Sequence, residues 1–273
     1  MSILQCGRFR LELSRPQLMA IVNLTADSFT GDGHAADLDG ALRRAERALE
    51  EGADMLDIGA ESTRPGAAPV PEELELERIV HVVERLHELK VPLSVDTLKP
   101  AVMRAALDAG ADMINDILGF RAPGAVEAVA GGQAGLCVMH MQGEPRTMQA
   151  APQYGDVVAE VSAFLEDRAA ALEAAGVDRE RIVLDPGFGF GKTVEHNCAM
   201  LRELRRFGAG GLPVLAGLSR KSMLGAITGR PVEQRVSASV AAALIAVQRG
   251  AAIVRVHDVA ATRDALAVWQ AVS

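Results

Sequence analysis

Asp96, Asn115 and Asp185 each stand at the end of a short apolar run, and Lys221, Arg255 and His257 stand at or just past the ends of others. Asn23 closes a further run, and Thr63 and Arg64 lie in the polar stretch that follows another. Two carboxylates and an amide are the groups needed to grip the amino and ring N–H edge of a flat heterocycle. Arg64, Lys221, Arg255 and His257 supply positive charge and donors, which suit a diphosphate or a carboxylate. One ligand with a polar ring and an anionic tail would use both sets. Plainer roles exist for each residue. Asp96 and Asn115 could cap the helices that follow them, and His257 alone could be structural. Arg255 could be a surface ion-pair partner. It is flanked by Val254 and Val256, however, so it would have to point into the barrel or against its helices, where an unpaired guanidinium is costly and an anionic partner is expected.

The stretch Arg181 to Lys192 contains the most chemistry in the fewest residues. Ile182, Val183 and Leu184 form an unbroken β-favouring run, as in a parallel strand covered on both faces. Pro186 removes a backbone donor, which leaves Asp185 at the carboxyl end of that strand. Gly187, Gly189 and Gly191 allow close approach of a ligand, Phe188 and Phe190 offer flat apolar walls, and Lys192 closes the loop with a positive charge. Met139 is a further wall of the same pocket. Asp-Pro-Gly by itself is an ordinary turn signal, and the glycine spacing does not fit a Walker loop. Repetition of the pattern raises it above a turn.

The positioning elements follow one rhythm. Ile3 to Leu13 alternate about Gly7 as a two-stranded hairpin able to plug one end of a larger sheet. From Leu18 onward, an apolar run, a polar or glycine-bearing loop and an amphipathic stretch recur eight times, on average about every 34 residues. The expected helices include 38–49, 100–109, 125–130, 157–175 and 195–207. A doubly wound sheet has the same alternation. The count of eight favours an α/β (β/α)8 TIM barrel with a short N-terminal β-hairpin, spanning 1–273 as one domain, with all strand ends converging on one face.

Composition excludes several classes. With 273 residues and 49% hydrophobic content the chain can bury a large core. A net charge of −8 argues against a general nucleic-acid binder. No apolar stretch approaches the ~20 residues that span a bilayer, and the start lacks the apolar core of a secretory signal. A cytoplasmic location is therefore expected. Cys6, Cys137 and Cys198 are odd in number and widely spaced, so neither a disulfide framework nor a zinc site is indicated, and Cys137 reads as core packing.

The motifs Met19-Ala-Ile-Val-Asn-Leu-Thr, Gly59-Ala-Glu-Ser-Thr-Arg-Pro-Gly, Ser94-Val-Asp-Thr, Ile114-Asn-Asp-Ile, Met139-His-Met-Gln, Leu184-Asp-Pro-Gly-Phe-Gly-Phe-Gly-Lys, Leu218-Ser-Arg-Lys-Ser and Ile253-Val-Arg-Val-His-Asp, in this order, resemble the dihydropteroate synthase family. The resemblance implies condensation of 6-hydroxymethyl-7,8-dihydropterin diphosphate with p-aminobenzoate, releasing pyrophosphate and using magnesium. Asp96, Asn115 and Asp185 would hold the pterin ring, Lys221 would reach its carbonyl side and Met139 would line the slot. Asn23 would help bind magnesium and the diphosphate, which Arg255 and His257 would also take. Thr63, Arg64, Pro65, Phe190 and Ser222 would shape the p-aminobenzoate site. Lys221, Arg255, His257 and Asp96 form the implied catalytic set. The loops 24–36 and 59–70 would close over the site, and a homodimer through late helices is implied, with 239–247 as a candidate surface. Two departures fall in those loops: Ala26 stands where the family usually has proline and Ala60 where it usually has glycine. Two other readings remain at this stage. A pterin-dependent methyltransferase would need no diphosphate site, and a non-catalytic pterin-binding paralogue would keep the pocket without turnover.

Overall fold

The computed structural model describes residues 3–24, 34–61, 69–144 and 147–272. Eight parallel strands close into a barrel: β3 (Gln17–Asn23), β4 (Met55–Gly59), β5 (Leu93–Asp96), β6 (Met113–Asp116), β7 (Gly135–Met139), β8 (Ile182–Asp185), β9 (Val214–Ala216) and β10 (Ala251–Val256), with β10 paired to both β3 and β9. Around them run α1 (His34–Glu50), α2 (Glu72–Leu86), α3 (Pro100–Asp108), α4 (Ala125–Val129), α5 (Val157–Ala174), α6 (Val194–Arg202), α7 (Ser222–Thr228), α8 (Val236–Gln248) and α9 (Val259–Ala271). The strands read as apolar runs because one face meets the helices and the other the barrel lumen. None of the described helices is long and apolar enough to cross a membrane.

The expected hairpin forms from β1 (Ile3–Cys6) and β2 (Phe9–Glu12), turning at Gly7 with φ +57°. Leu4 and Cys6 point inward and pack on Met19, Met55, Met113, Cys137, Val183, Leu215 and Ile253, one apolar residue from each of seven barrel strands. This layer seals the amino end of the barrel. Cys137 is one of its members, and burial raises its thiol pKa well above the ordinary cysteine range, as core packing requires. Arg8 pins the hairpin through its backbone N–H and guanidinium, both on the buried Asp112 carboxylate at 2.9–3.0 Å.

One expected helix divides. Instead of running through 195–207, α6 ends at Arg202 and a 3-10 turn follows over Leu204–Gly208. Leu204 and Phe207, three residues apart, are both buried. A 3-10 turn brings positions i and i+3 onto one side, which lets both side chains reach the core.

Candidate active site at the carboxyl ends of the strands

Side chains two apart on a strand share a face. The residue two beyond each member of the apolar layer therefore rises into the lumen above it. Those residues are Ile21, Asp57, Asn115, Met139, Asp185, Gly217 and Arg255, with Asp96 on β5 beside Asn115 in register. A period of two thus converts a hydrophobic floor into a polar chamber one level higher.

Arg255 occupies its centre. Its Nε donates to Asp57 Oδ2 at 2.5 Å and its terminal nitrogen donates to Asp96 Oδ2 at 2.9 Å. The anionic partner expected from sequence is thus supplied by the protein itself, as two carboxylates on neighbouring strands. Asp57 was not among the residues singled out from sequence. It was legible, since a carboxylate inside the run Met-Leu-Asp-Ile invites the same argument as Arg255 between two valines. Burial works against the Arg255 charge, yet Asp57 and Asp96 more than offset it and hold the pKa above the usual arginine range. Burial pushes Asp96 up to about 7, opposed by Arg255 and reinforced by Asp57. Asn115 Nδ2 lies 3.4 Å from Asp57 Oδ2, while Asn115 Oδ1 and Asp57 Oδ1 are buried with no partner among the described residues. Such orphaned acceptors are costly unless a ligand donates to them.

Asp185 closes the far side. Its Oδ1 accepts from Gly187 N at 2.7 Å, and burial, countered by Lys221, raises its pKa. Gly187 holds φ +68°, and a Cβ there would sit 1.9 Å from the His140 carbonyl oxygen, so only glycine allows this turn. Lys221 Nζ donates to the Phe188 carbonyl and lies 4.4 Å from the centre of the Phe190 ring. Burial lowers its pKa to about 8, although Asp185 pulls the other way.

One expectation about the loop needs correction. Phe188 is a core residue, 1% exposed, and only Phe190 is a wall; it packs beside Met139, Met141 and Met148. Lys192 closes the loop from below. It is 3% exposed and lies beneath the loop on backbone carbonyls. The alternation of glycine with phenylalanine says nothing about which ring turns inward, because the backbone here is not a strand.

The other residues divide by position. Asn23 Oδ1, Gly59 and Asp96 lie side by side at the top of β3, β4 and β5, with Asn23 in register with Gly59 and Gly59 with Asp96. His257 Nδ1 lies 3.1 Å from Ser219 Oγ, which also accepts from His257 N. Ser222 is exposed at the first position of α7, directly after Lys221. Thr63, Arg64 and Pro65 lie outside the described residues, as do Ala26 and most of both loops expected to close over the site. Ala60 is buried in the core, and it is absent from the residues with positive φ, so it carries no left-handed strain.

The pterin binding enzyme family matches residues 19–257. The Haemophilus influenzae dihydropteroate synthase is 53% identical over 96% of this chain and 95% of its own length. The Burkholderia cenocepacia dihydropteroate synthase complexed with 7,8-dihydropteroate superposes with a TM-score of 0.92 at 61% identity, covering 99% of this chain and 96% of that one. The Xanthomonas albilineans dihydropteroate synthase with 4-aminobenzoic acid gives 0.93 at 54% identity, covering 99% and 97%. With relatives this similar over nearly their full lengths, and with carboxylates, an amide and cations gathered at one barrel mouth, the chain belongs to the pterin-binding enzymes, in their dihydropteroate synthase branch.

Proposed function

We propose that this enzyme joins 6-hydroxymethyl-7,8-dihydropterin diphosphate to p-aminobenzoate, giving 7,8-dihydropteroate and pyrophosphate. The observation that carries the reading is the set of buried carboxyl and amide oxygens around Arg255, two of them without partners. Oxygens of this kind match the ring N–H and amino edge of a pterin. Asp96, Asn115 and Asp185 would hold that edge, joined by Asp57, while Lys221 donates to the carbonyl side and Met139 lines the slot. Arg255 and His257 would meet the diphosphate. Phe190, Ser222 and the 63–65 segment would receive p-aminobenzoate.

The reaction then needs charge stabilisation more than a strong base. The carbon–oxygen bond breaks with its electron pair leaving on pyrophosphate, and the amine lone pair forms the new carbon–nitrogen bond before the amine proton is lost. Fixed carboxylates in a dry chamber favour the positive methylene between those steps. Magnesium, when bound, would neutralise the departing pyrophosphate. Among the described residues no cluster of three His, Cys, Asp or Glu side chains could hold a metal. The Asn23 amide oxygen at the strand end is nonetheless compatible, because magnesium commonly keeps several waters and takes oxygens from substrate phosphates.

The test is pyrophosphate release from the pterin diphosphate. The expected result is release that requires both p-aminobenzoate and magnesium. No release with every component present sinks the reading.

We further propose a homodimer that uses the outer face of α8. Ser239, Ala242, Ala243, Ala246 and Val247 turn toward the barrel, so the available strip is narrower than the whole 239–247 segment. Ile245 on that strip, 39% exposed, together with Ile227 on α7 and Val232 just before α8, 57% and 38% exposed, supplies apolar surface. Light scattering at micromolar concentration should give twice the chain mass; a monomer refutes the assembly.

A further inference from the structure

Lys192 is a buried cation whose hydrogen-bond partners are all uncharged. Its Nζ lies 2.9 Å from His140 Nδ1, 3.0 Å from the carbonyl oxygens of Gly187 and Phe190, and 3.4 Å from that of His140. No described carboxylate forms an ion pair with it. Burial lowers its pKa to about 7 despite the pull of Asp185. His140 is the complementary neutral group: burial, then the Lys192 charge, holds its pKa down to about 3, and in the tautomer that carries its proton on Nε2 the ring accepts from the Lys192 ammonium at Nδ1. An ammonium kept in such a place costs stability. The geometry shows what that cost accompanies.

The two carbonyls gripped by Lys192 belong to the first and last residues of the Gly187–Phe190 turn, which is itself closed by a Phe190 N to Gly187 O bond at 3.1 Å. Everything the turn offers the chamber lies at or between those grips. Gly187 N donates to Asp185, the Phe188 carbonyl receives Lys221, and the Phe190 ring lies under the Lys221 ammonium. The glycines at 187, 189 and 191 hold φ of +68°, +78° and +61°, a backbone that makes no strand or helix ladder and must be tied by side chains. Asn197 ties Gly189 N at 2.7 Å and Tyr154 ties Gly191 O at 2.9 Å. Lys192 alone among these three ties the carbonyls on both sides of Phe188.

We propose that Lys192 is a positioning residue, which sets the height of the glycine turn and thereby aligns Asp185, Phe190 and Lys221 with the substrates. This role rests on the synthase reading above.

The test compares Lys192→Met and Lys192→Gln with Tyr154→Phe in the full chain, at a temperature where circular dichroism shows each folded. Misplacing reactive groups by an ångström costs about 10²-fold, so both Lys192 variants should lose on that order in kcat/KM for the pterin diphosphate. Tyr154→Phe should stay within about threefold of the parent, because it frees only the outer carbonyl at Gly191. Folded Lys192 variants with parent-like kcat/KM and only a lower melting temperature overturn the proposal. So does an equal loss in Tyr154→Phe, which would make the effect general loosening, or failure of both Lys192 variants to fold. If the parent itself releases no pyrophosphate, the synthase reading fails and Lys192 is judged by calorimetry with the pterin diphosphate alone. Roughly tenfold weaker binding in the variants then supports a positioning role in the pocket, and unchanged binding refutes it.

Discussion

Lys221→Ala lowers kcat/KM for the pterin diphosphate by about 10²- to 10³-fold, the range seen when one preorganised donor is removed from an active site. Its ammonium joins Asp185, through charge, to the Phe188 carbonyl and the Phe190 ring; Arg255 and Lys192 also act on Asp185 by charge, but among the described cations only Lys221 is placed to serve all three groups. The loss carries a pH signature. Burial brings the Lys221 pKa down to about 8, so in the parent enzyme kcat/KM should fall above about pH 8 as the ammonium loses its proton. Lys221→Arg keeps a charge throughout that range, and its residual activity should lack this alkaline limb. Steady-state rates between about pH 6 and pH 10 decide the matter. Near-normal turnover in Lys221→Ala, or the same alkaline limb in Lys221→Arg, would break the assignment.

Arg255→Met has the largest expected effect on stability. It leaves Asp57 and Asp96 facing one another without the guanidinium that now bridges them. Removing one partner of a buried ion pair costs about 3–5 kcal/mol, and turnover should fall with it. The penalty depends on pH in a definite direction. Asp96 is already raised from 3.8 to about 7, chiefly by burial and against the pull of Arg255. Without Arg255 its folded pKa rises further. A carboxyl whose folded pKa exceeds its unfolded one contributes stability that is complete below the unfolded value and is lost as pH rises through the folded value. The variant should therefore lie closest to the parent near pH 5 and fall furthest behind at about pH 8 and above. Urea unfolding at both pH values measures this. A penalty equal at both, or none at pH 8, would show that the two carboxylates are not coupled through Arg255.

The same triad shows where reading a chain along its length stops. Arg255 was legible because a charge between two valines demands a partner, and that demand is local. The identity of the partner was not local: Asp57 lies on β4 and Asp96 on β5, 198 and 159 residues away. Only closure of β10 against β3 brings β4 and β5 within reach. Asp57 itself was visible as an anomaly within an apolar strand. It sits inside its strand and not at the end, and the lumen is lined by residues two apart along each strand.

Sequence by itself determined the eight strand and helix units, the hairpin about Gly7 and the residue types crowded at strand ends. These depend on periodicity and on backbone rules for glycine and proline, which act over a few residues. It also carried enough motif order to indicate the family. The tertiary structure decided which charges neutralise one another, that Phe188 turns into the core while Phe190 faces the chamber, and that Lys192 works from beneath the loop. Those outcomes depend on burial and on contacts between distant strands. The electrostatic cost of a charge is set by the surroundings that the closed barrel supplies, and those surroundings do not exist until the chain has folded.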